Sequence, residues 1–334
     1  MRCGPGLALA WIVSLLGVVP LGGESRPPVT FAVLREDGIL IPFATFDGKW
    51  KNPWPKPAVE AEVPITLADV PKAWWPGKRI QREWTLWTPD GGTRRLTAAA
   101  PAWVRAQCVS NVGLRSDFKS DTVLPDPETM PYPKAGLATS AGAEAVKVDP
   151  ISVLDSSSPE WKQLLIDLPP VFLEAEMKTA SQFDFTSFLP YVSGFMKGPI
   201  VIEALYRASD IVPGRLIYYF EATRRYAVTM ARADSRTAGV TLKLTSPCDL
   251  VTFGSGWIRE GQGRYEVYIR AVITDCQRQD VSFQHPLGVV RVHRGRPLWI
   301  VQWSSWQAEW YSVIDFANPI EPRPLFETWG GGCR

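Results

Sequence analysis

The sequence predicts a mainly β protein. Antiparallel meanders should fold as a sandwich or partly closed barrel, in two lobes, with one or two short helices near 159–178. Three observations carry this. Apolar runs of strand length recur from Val29 to Phe316 and are broken by turn residues such as Asp37-Gly38, Asp47-Gly48 and Asp90-Gly91. Asp-Gly between apolar runs is a strong hairpin signal, because Gly accepts positive φ and Asp tolerates it. Arg264–Thr274 alternates, with Tyr265, Val267, Ile269, Ala271 and Ile273 on one side, the period of an antiparallel strand. Helix signals concentrate at one place, Ser158-Pro-Glu-Trp161, where Ser caps, Pro takes the first helical position and Glu sits in the first turn.

In chain order, residues 1–25 read as a signal peptide and 26–133 as an N-terminal Trp/Pro-rich β domain. Val29–Leu34 and Ile39–Phe46 form its first hairpin, and Glu83–Thr88 with Thr93–Thr97 forms another. The prolines between them predict loops and edges, because Pro lacks the N–H that a central strand needs. In Phe43–Pro55, the Asp47-Gly48 turn leaves Trp50 and Trp54 to pin an extended proline segment against the sheet. The acidic stretch Ser116–Pro133 predicts a solvated loop, since its spacing matches no EF-hand. Residues 134–157 are rich in Ala, Gly and Ser and read as a linker or long surface loop. Residues 158–334 read as a C-terminal antiparallel β domain. Its opening helix ends at Pro169-Pro170, and the second Pro starts another short helix, Val171–Lys178. The Gly254-Ser-Gly256 break reads as a bulge or bend.

The N-terminal segment predicts export. Met1-Arg-Cys-Gly-Pro5 carries one positive charge, Leu7–Leu21 is almost wholly apolar, and small residues follow, so cleavage is expected near Gly23 or Ser25. The expected location is secreted or periplasmic, with no membrane span after cleavage. The 36 Lys+Arg nearly balance the 34 Asp+Glu, and no basic stripe appears, so nucleic acid is not an expected partner.

Four cysteines follow the signal. A three-residue turn, Gly261-Gln-Gly263, would pair Glu260 with Arg264, and extending that register places Cys248 opposite Cys276, which predicts their disulfide. Cys108 and Cys333 would then form the remaining pair across the lobes. No Cys-x-x-Cys spacing exists and the chain has two His, so no structural metal and no cofactor is expected.

Signatures of nucleotide binding and of serine or zinc hydrolysis are absent. Carboxylates beside aromatics are the remaining catalytic route. Glu221 follows Tyr218-Tyr-Phe220, and Glu309 and Asp315 share a strand face with Tyr311. The competing reading is a polar strand face with Arg partners. Seven tryptophans lie between Trp50 and Trp103 and four more between Trp299 and Trp310. Trp74-Trp75 is the candidate ligand platform, for a carbohydrate or envelope polymer, although buried Trp anchors serve a loop-rich β domain equally well. The reading leans away from an enzyme, towards non-catalytic binding or structural work at the cell envelope or outside the cell. The alternative is a carboxylate-dependent hydrolase of polysaccharide or peptidoglycan. Tryptophan faces in line would mark a binding module, and two converging carboxylates would mark a hydrolase.

Overall fold

The computed structural model describes residues 28–52, 54, 64–70, 82–140, 144–182, 196–227, 250–260, 265–274, 282–305, 307–317 and 322–333. The signal segment, Trp74, Trp75, Cys248 and Cys276 lie outside them. Among the described residues the protein is mostly strand, all of it antiparallel, with one α-helix, as the sequence predicts.

The N-terminal strands are β1 (Val29–Arg35), β2 (Ile39–Phe46), β3 (Trp50–Lys51), β4 (Glu83–Trp87), β5 (Thr93–Val104), β6 (Asn111–Ser116) and β7 (Lys134–Thr139). They run in the order β1-β7-β4-β5-β6-β2-β3, and β1 also pairs with β2, which closes six of them into a ring. Alternation sends one set of side chains inward, including Leu34, Leu40, Trp84, Leu86, Leu96 and Leu114. Interior positions of so small a barrel are filled by side chains rather than left as a channel. Phe31, Val33, Ile41 and Phe43 point the other way, onto the next layer. Trp50 packs on Phe31, Phe46 and Phe326, and Trp54 Nε1 donates to the Val112 carbonyl (3.1 Å), so both anchor the segment that follows the Asp47-Gly48 turn.

That next layer, sheet I, contains β8 (Val146–Asp149), β14 (Phe283–Val292), β15 (Leu298–Ser305), β16 (Ala308–Asp315) and β17 (Arg323–Gly332), in the order β17-β16-β15-β14-β8. Sheet II contains β9 (Ser152–Val153), β10 (Met196–Ser209), β11 (Leu216–Ala227), β12 (Leu250–Glu260) and β13 (Tyr265–Thr274), in the order β13-β12-β11-β10-β9. Each is a four-strand meander with one short strand added at its edge. Sheet I is covered on both faces. Val290, Ile300, Tyr311 and Val313 meet the barrel, while Val289, Trp299, Val301 and Ile314 meet Ile217, Tyr219 and Trp257 of sheet II. Helix α1 (Pro159–Gln182) covers the far face of sheet II through Leu164, Leu168 and Phe172.

Four sequence expectations change. The expected linker at 134–157 is structural: β7 completes the barrel, β8 edges sheet I and β9 edges sheet II. Its small residues serve tight packing. Gly136 has φ 156°, and a Cβ there would collide with the Trp87 carbonyl. The helix expected to end at Pro169-Pro170 runs through both prolines to Gln182. Leu164, Leu168, Phe172 and Ala175 fall on one face and are buried, worth roughly 1.5–3 kcal/mol for each large side chain. The lost helix bonds face water, beside exposed Leu165 and Ile166.

Gly254-Ser-Gly256 is continuous strand within β12, and Gly254 is needed because a Cβ would collide with the Phe172 ring. Last, Glu260 pairs with Tyr265 and not with Arg264. This one-residue slip removes the register that placed Cys248 opposite Cys276. Cys248 and Cys276 themselves lie outside the described residues, while the other expected pair, Cys108–Cys333, is bonded, with Cα atoms 4.9 Å apart, and ties the β5–β6 connection to the end of β17.

Candidate functional site: a tryptophan row and its carboxylate neighbours

The β15–β16 connection is short, with Ser305 paired to Ala308 and Gln307 at φ 58°. That fixes the register so that Trp303 faces Trp310 directly. On β17 a bulge at Gly330 resets the pairing, and Trp329 comes opposite Trp310. On the other side Gln284 of β14 pairs with Trp303. A row Gln284–Trp303–Trp310–Trp329 therefore crosses sheet I, with all three tryptophans half-buried. The rings of Trp303 and Trp310 are parallel to within 7°, centroids 5.8 Å apart, a separation at which aromatic pairs attract. Trp303 Nε1 donates to Ser312 Oγ (2.8 Å), which donates to Glu327 Oε1 (3.0 Å). Ser312 lies one strand over and two positions along, so this bond holds the indole leaning along the sheet. With Trp303 held in this way, the three indoles form an aromatic strip with polar groups beside it, the composition of a site for flat, hydroxylated rings.

Glu221 sits beside the Gln284 end of the row. It shares its strand face with Tyr219, and its Oε1 accepts from Tyr219 Oη and from the Gln284 backbone N–H, both at 3.0 Å. Burial raises its pKa, against the lowering effect of those two hydrogen bonds. Tyr206 stacks on Tyr219 with centroids 6.0 Å apart, and its hydroxyl lies 3.5 Å from His285 Nδ1. Burial, with the Glu221 charge second, pushes the Tyr206 phenol up to about 12.

Glu309 lies on the opposite side of sheet I, with Tyr311 and Val313 facing the barrel. Lys134 Nζ donates to its Oε2 at 3.0 Å, Gln302 Nε2 donates to the same oxygen at 3.3 Å, and Tyr311 Oη donates to Oε1. Burial pulls the Lys134 pKa down, against the Glu309 charge. Asp315 is at the other end of β16, about 20 Å from Glu309 at strand rise. Its Oδ2 is 2.5 Å from Arg296 Nη2, and its Oδ1 accepts from Ala317 N–H (2.9 Å).

The three carboxylates singled out from the sequence are thus kept apart, two of them on one side of sheet I and Glu221 on the other. Among the described residues no group of three or more His, Cys, Asp or Glu could hold a metal ion, and no helix is long and apolar enough to cross a membrane.

Sequence reasoning missed the tryptophan row, Lys134 and Tyr206. For Trp303 and Trp310 a signal existed in their spacing, because a tight hairpin midway between them would bring them face to face. Comparison with protein-family models, curated proteins and solved structures found no match.

Proposed function

We propose that the protein is an exported, non-catalytic binding protein that holds a polysaccharide or similar envelope polymer against the Trp303–Trp310–Trp329 row. The in-line, half-buried row carries this reading. Fixed indole faces bind rings without the entropy cost of ordering flexible side chains. Export is supported by the apolar run Leu7–Leu21 and by the Cys108–Cys333 disulfide, a bond that persists in oxidising compartments.

A carboxylate-dependent hydrolase fits less well. Glycosidases need two carboxyls about 5–9 Å apart. Here Glu309 and Asp315 each have a cationic partner and are separated by the length of a strand, while Glu221 faces another layer.

The experiment is retention on insoluble polysaccharides and peptidoglycan sacculi, followed by titration of tryptophan fluorescence with soluble fragments. Trp303→Ala and Trp310→Ala should each weaken binding at least about tenfold, the scale of one lost stacking contact. Binding that both variants leave unchanged, or release of soluble fragments by the wild type, would sink the reading.

A further inference from the structure

The tryptophan row has an open end and a closed one. Trp329, Trp310 and Trp303 are half-buried, whereas Gln284, next in line, is 7% exposed. Gln284 pairs in register with Trp303, so the two side chains lie on the same face of sheet I, with Cα atoms about 5 Å apart. Beyond Gln284 the row stops against sheet II. The Gln284 backbone N–H donates to Glu221 Oε1, and Tyr219 Oη donates to the same oxygen, both at 3.0 Å.

At that closed end the Gln284 carboxamide is left incomplete. Its Oε1 is buried, yet it accepts no hydrogen bond from any described residue. A buried acceptor without a donor costs stability, and nearly all such groups in folded proteins are satisfied. Here the missing donor is called for one strand away from Trp303, on the face that the aromatic strip uses. The surroundings are otherwise apolar and aromatic: Tyr219 and Val301 are buried in the cluster on which Trp303 packs.

A ligand group that completes this end brings one hydrogen-bond donor and little further polarity. A ring hydroxyl brings its O–H together with acceptor lone pairs, which lose water on entering apolar surroundings. An acetamido substituent fits better. Its amide is trans, so the N–H and the C=O point in opposite directions. The methyl group lies on the N–H side. With the N–H on Gln284 Oε1, the methyl meets the apolar surroundings and the carbonyl stays towards water.

We propose that the polymer held by the tryptophan row is built of N-acetylated amino sugars, and that Gln284 selects them, its Oε1 accepting the acetamido N–H of a ring stacked on Trp303. This rests on the polymer-binding reading above and names its substrate class. Trp303, Trp310 and Trp329 supply affinity for rings of any kind, because stacking is indifferent to what the ring carries. Gln284 supplies the choice among them, because a site with a buried polar group discriminates against a ligand that leaves that group unpaired.

Two oligomers of the same linkage and length test it, one of N-acetylglucosamine and one of glucose, because they differ only in an acetamido group against a hydroxyl. Calorimetric titration of the full chain should show about tenfold tighter binding of the N-acetylated oligomer, the scale of one buried hydrogen bond and one buried methyl. Gln284→Met keeps the length of the side chain and removes the acceptor. It should bind both oligomers alike, and its urea midpoint should not fall below that of the wild type, since no hydrogen bond of Oε1 within the protein is lost. Trp303→Ala should weaken both oligomers by the same factor.

Equal affinities in the wild type, tighter binding of the glucose oligomer, or a preference that survives in Gln284→Met overturns the assignment to Gln284. The tryptophan reading then stands if Trp303→Ala still weakens both oligomers. A lower urea midpoint in Gln284→Met also overturns the assignment, because the amide oxygen would then be bonded within the fold. Binding that Trp303→Ala leaves unchanged, or binding of neither oligomer, overturns the row and this proposal together.

Discussion

Lys134 of the barrel and Glu309 of sheet I form a buried ion pair, Nζ to Oε2 3.0 Å, with side chains 2% and 3% exposed. Each charge is supported by further polar contacts. Lys134 also donates to the Tyr132 carbonyl (2.7 Å), and Glu309 also accepts from Tyr311 and Gln302. Burying both charges is costly, and mutual attraction roughly offsets that cost when the remaining bonds are satisfied. Removing one partner leaves the other charge buried. Lys134→Met and Glu309→Gln should therefore each cost about 3–5 kcal/mol, and the double variant K134M/E309Q much less than their sum. Urea denaturation of all four proteins reads the coupling. Additivity within about 0.5 kcal/mol would mean that the two groups do not act as a pair.

Glu221 makes stability depend on pH in a predictable direction. Burial raises its folded pKa above the ordinary 4.5, so the folded state holds a proton that the unfolded state has released. The group's contribution is complete below the ordinary value and is lost as pH rises through the raised one. Glu221→Gln has no such proton to lose, and its amide oxygen can still accept from Tyr219 and Gln284. Its stability relative to the wild type should be higher at pH 7.5 than at pH 4, the gain accruing as pH rises from the ordinary value through the raised one. Denaturant midpoints at the two ends decide it, and a pH-independent difference would contradict the assignment.

The disulfide makes a third prediction. Cys108 and Cys333 are 225 residues apart, so their bond closes the chain from just before β6 to the end of β17 into one loop. In the chain-entropy model a loop of that length is worth about 5 kcal/mol. Reduction should lower the denaturation midpoint correspondingly. Non-reducing peptide mapping should recover a Cys108–Cys333 linked peptide. Recovery of Cys108 joined to Cys248 or Cys276 instead would refute the pairing.

The parts of the fold that the sequence revealed are those set by local pattern. Asp-Gly turns located hairpins, and alternation located strands. The parts it concealed depend on contacts between distant segments. Lys134–Thr139 has a linker's composition because its small residues sit between two strands of a closed ring, and closure is not a local property. The slip from Arg264 to Tyr265 as the partner of Glu260 is a single residue of turn geometry, which composition does not resolve. The carboxylates were legible as residues beside aromatics, but their separation on two sides of sheet I follows from layer order. The tryptophan row needed both the short β15–β16 loop and the bulge at Gly330, and of these only the first could be inferred from spacing.

Helix α1 offers the last prediction. Pro169 and Pro170 lie inside it, where each removes an N–H from the helix ladder and crowds the carbonyl four residues earlier, at a cost of about 3 kcal/mol for an interior proline. The helix continues because Leu168 and Phe172, on either side of the pair, are fully buried against sheet II. Pro170 is exposed and Pro169 half-buried, so the two differ in what their rings contribute to packing. Pro170→Ala restores a donor for the Ile166 carbonyl and loses no core contact. It should stabilise the protein by about 1–2 kcal/mol, after allowing about 0.4–1 kcal/mol for the freer unfolded chain. Pro169→Ala should gain less, because its ring gives up packing. Thermal and urea denaturation of the two variants, with far-ultraviolet circular dichroism as the helix probe, measures this. A Pro170→Ala variant less stable than the wild type would show that the chain bends at the proline pair and that two helices, not one, cover sheet II.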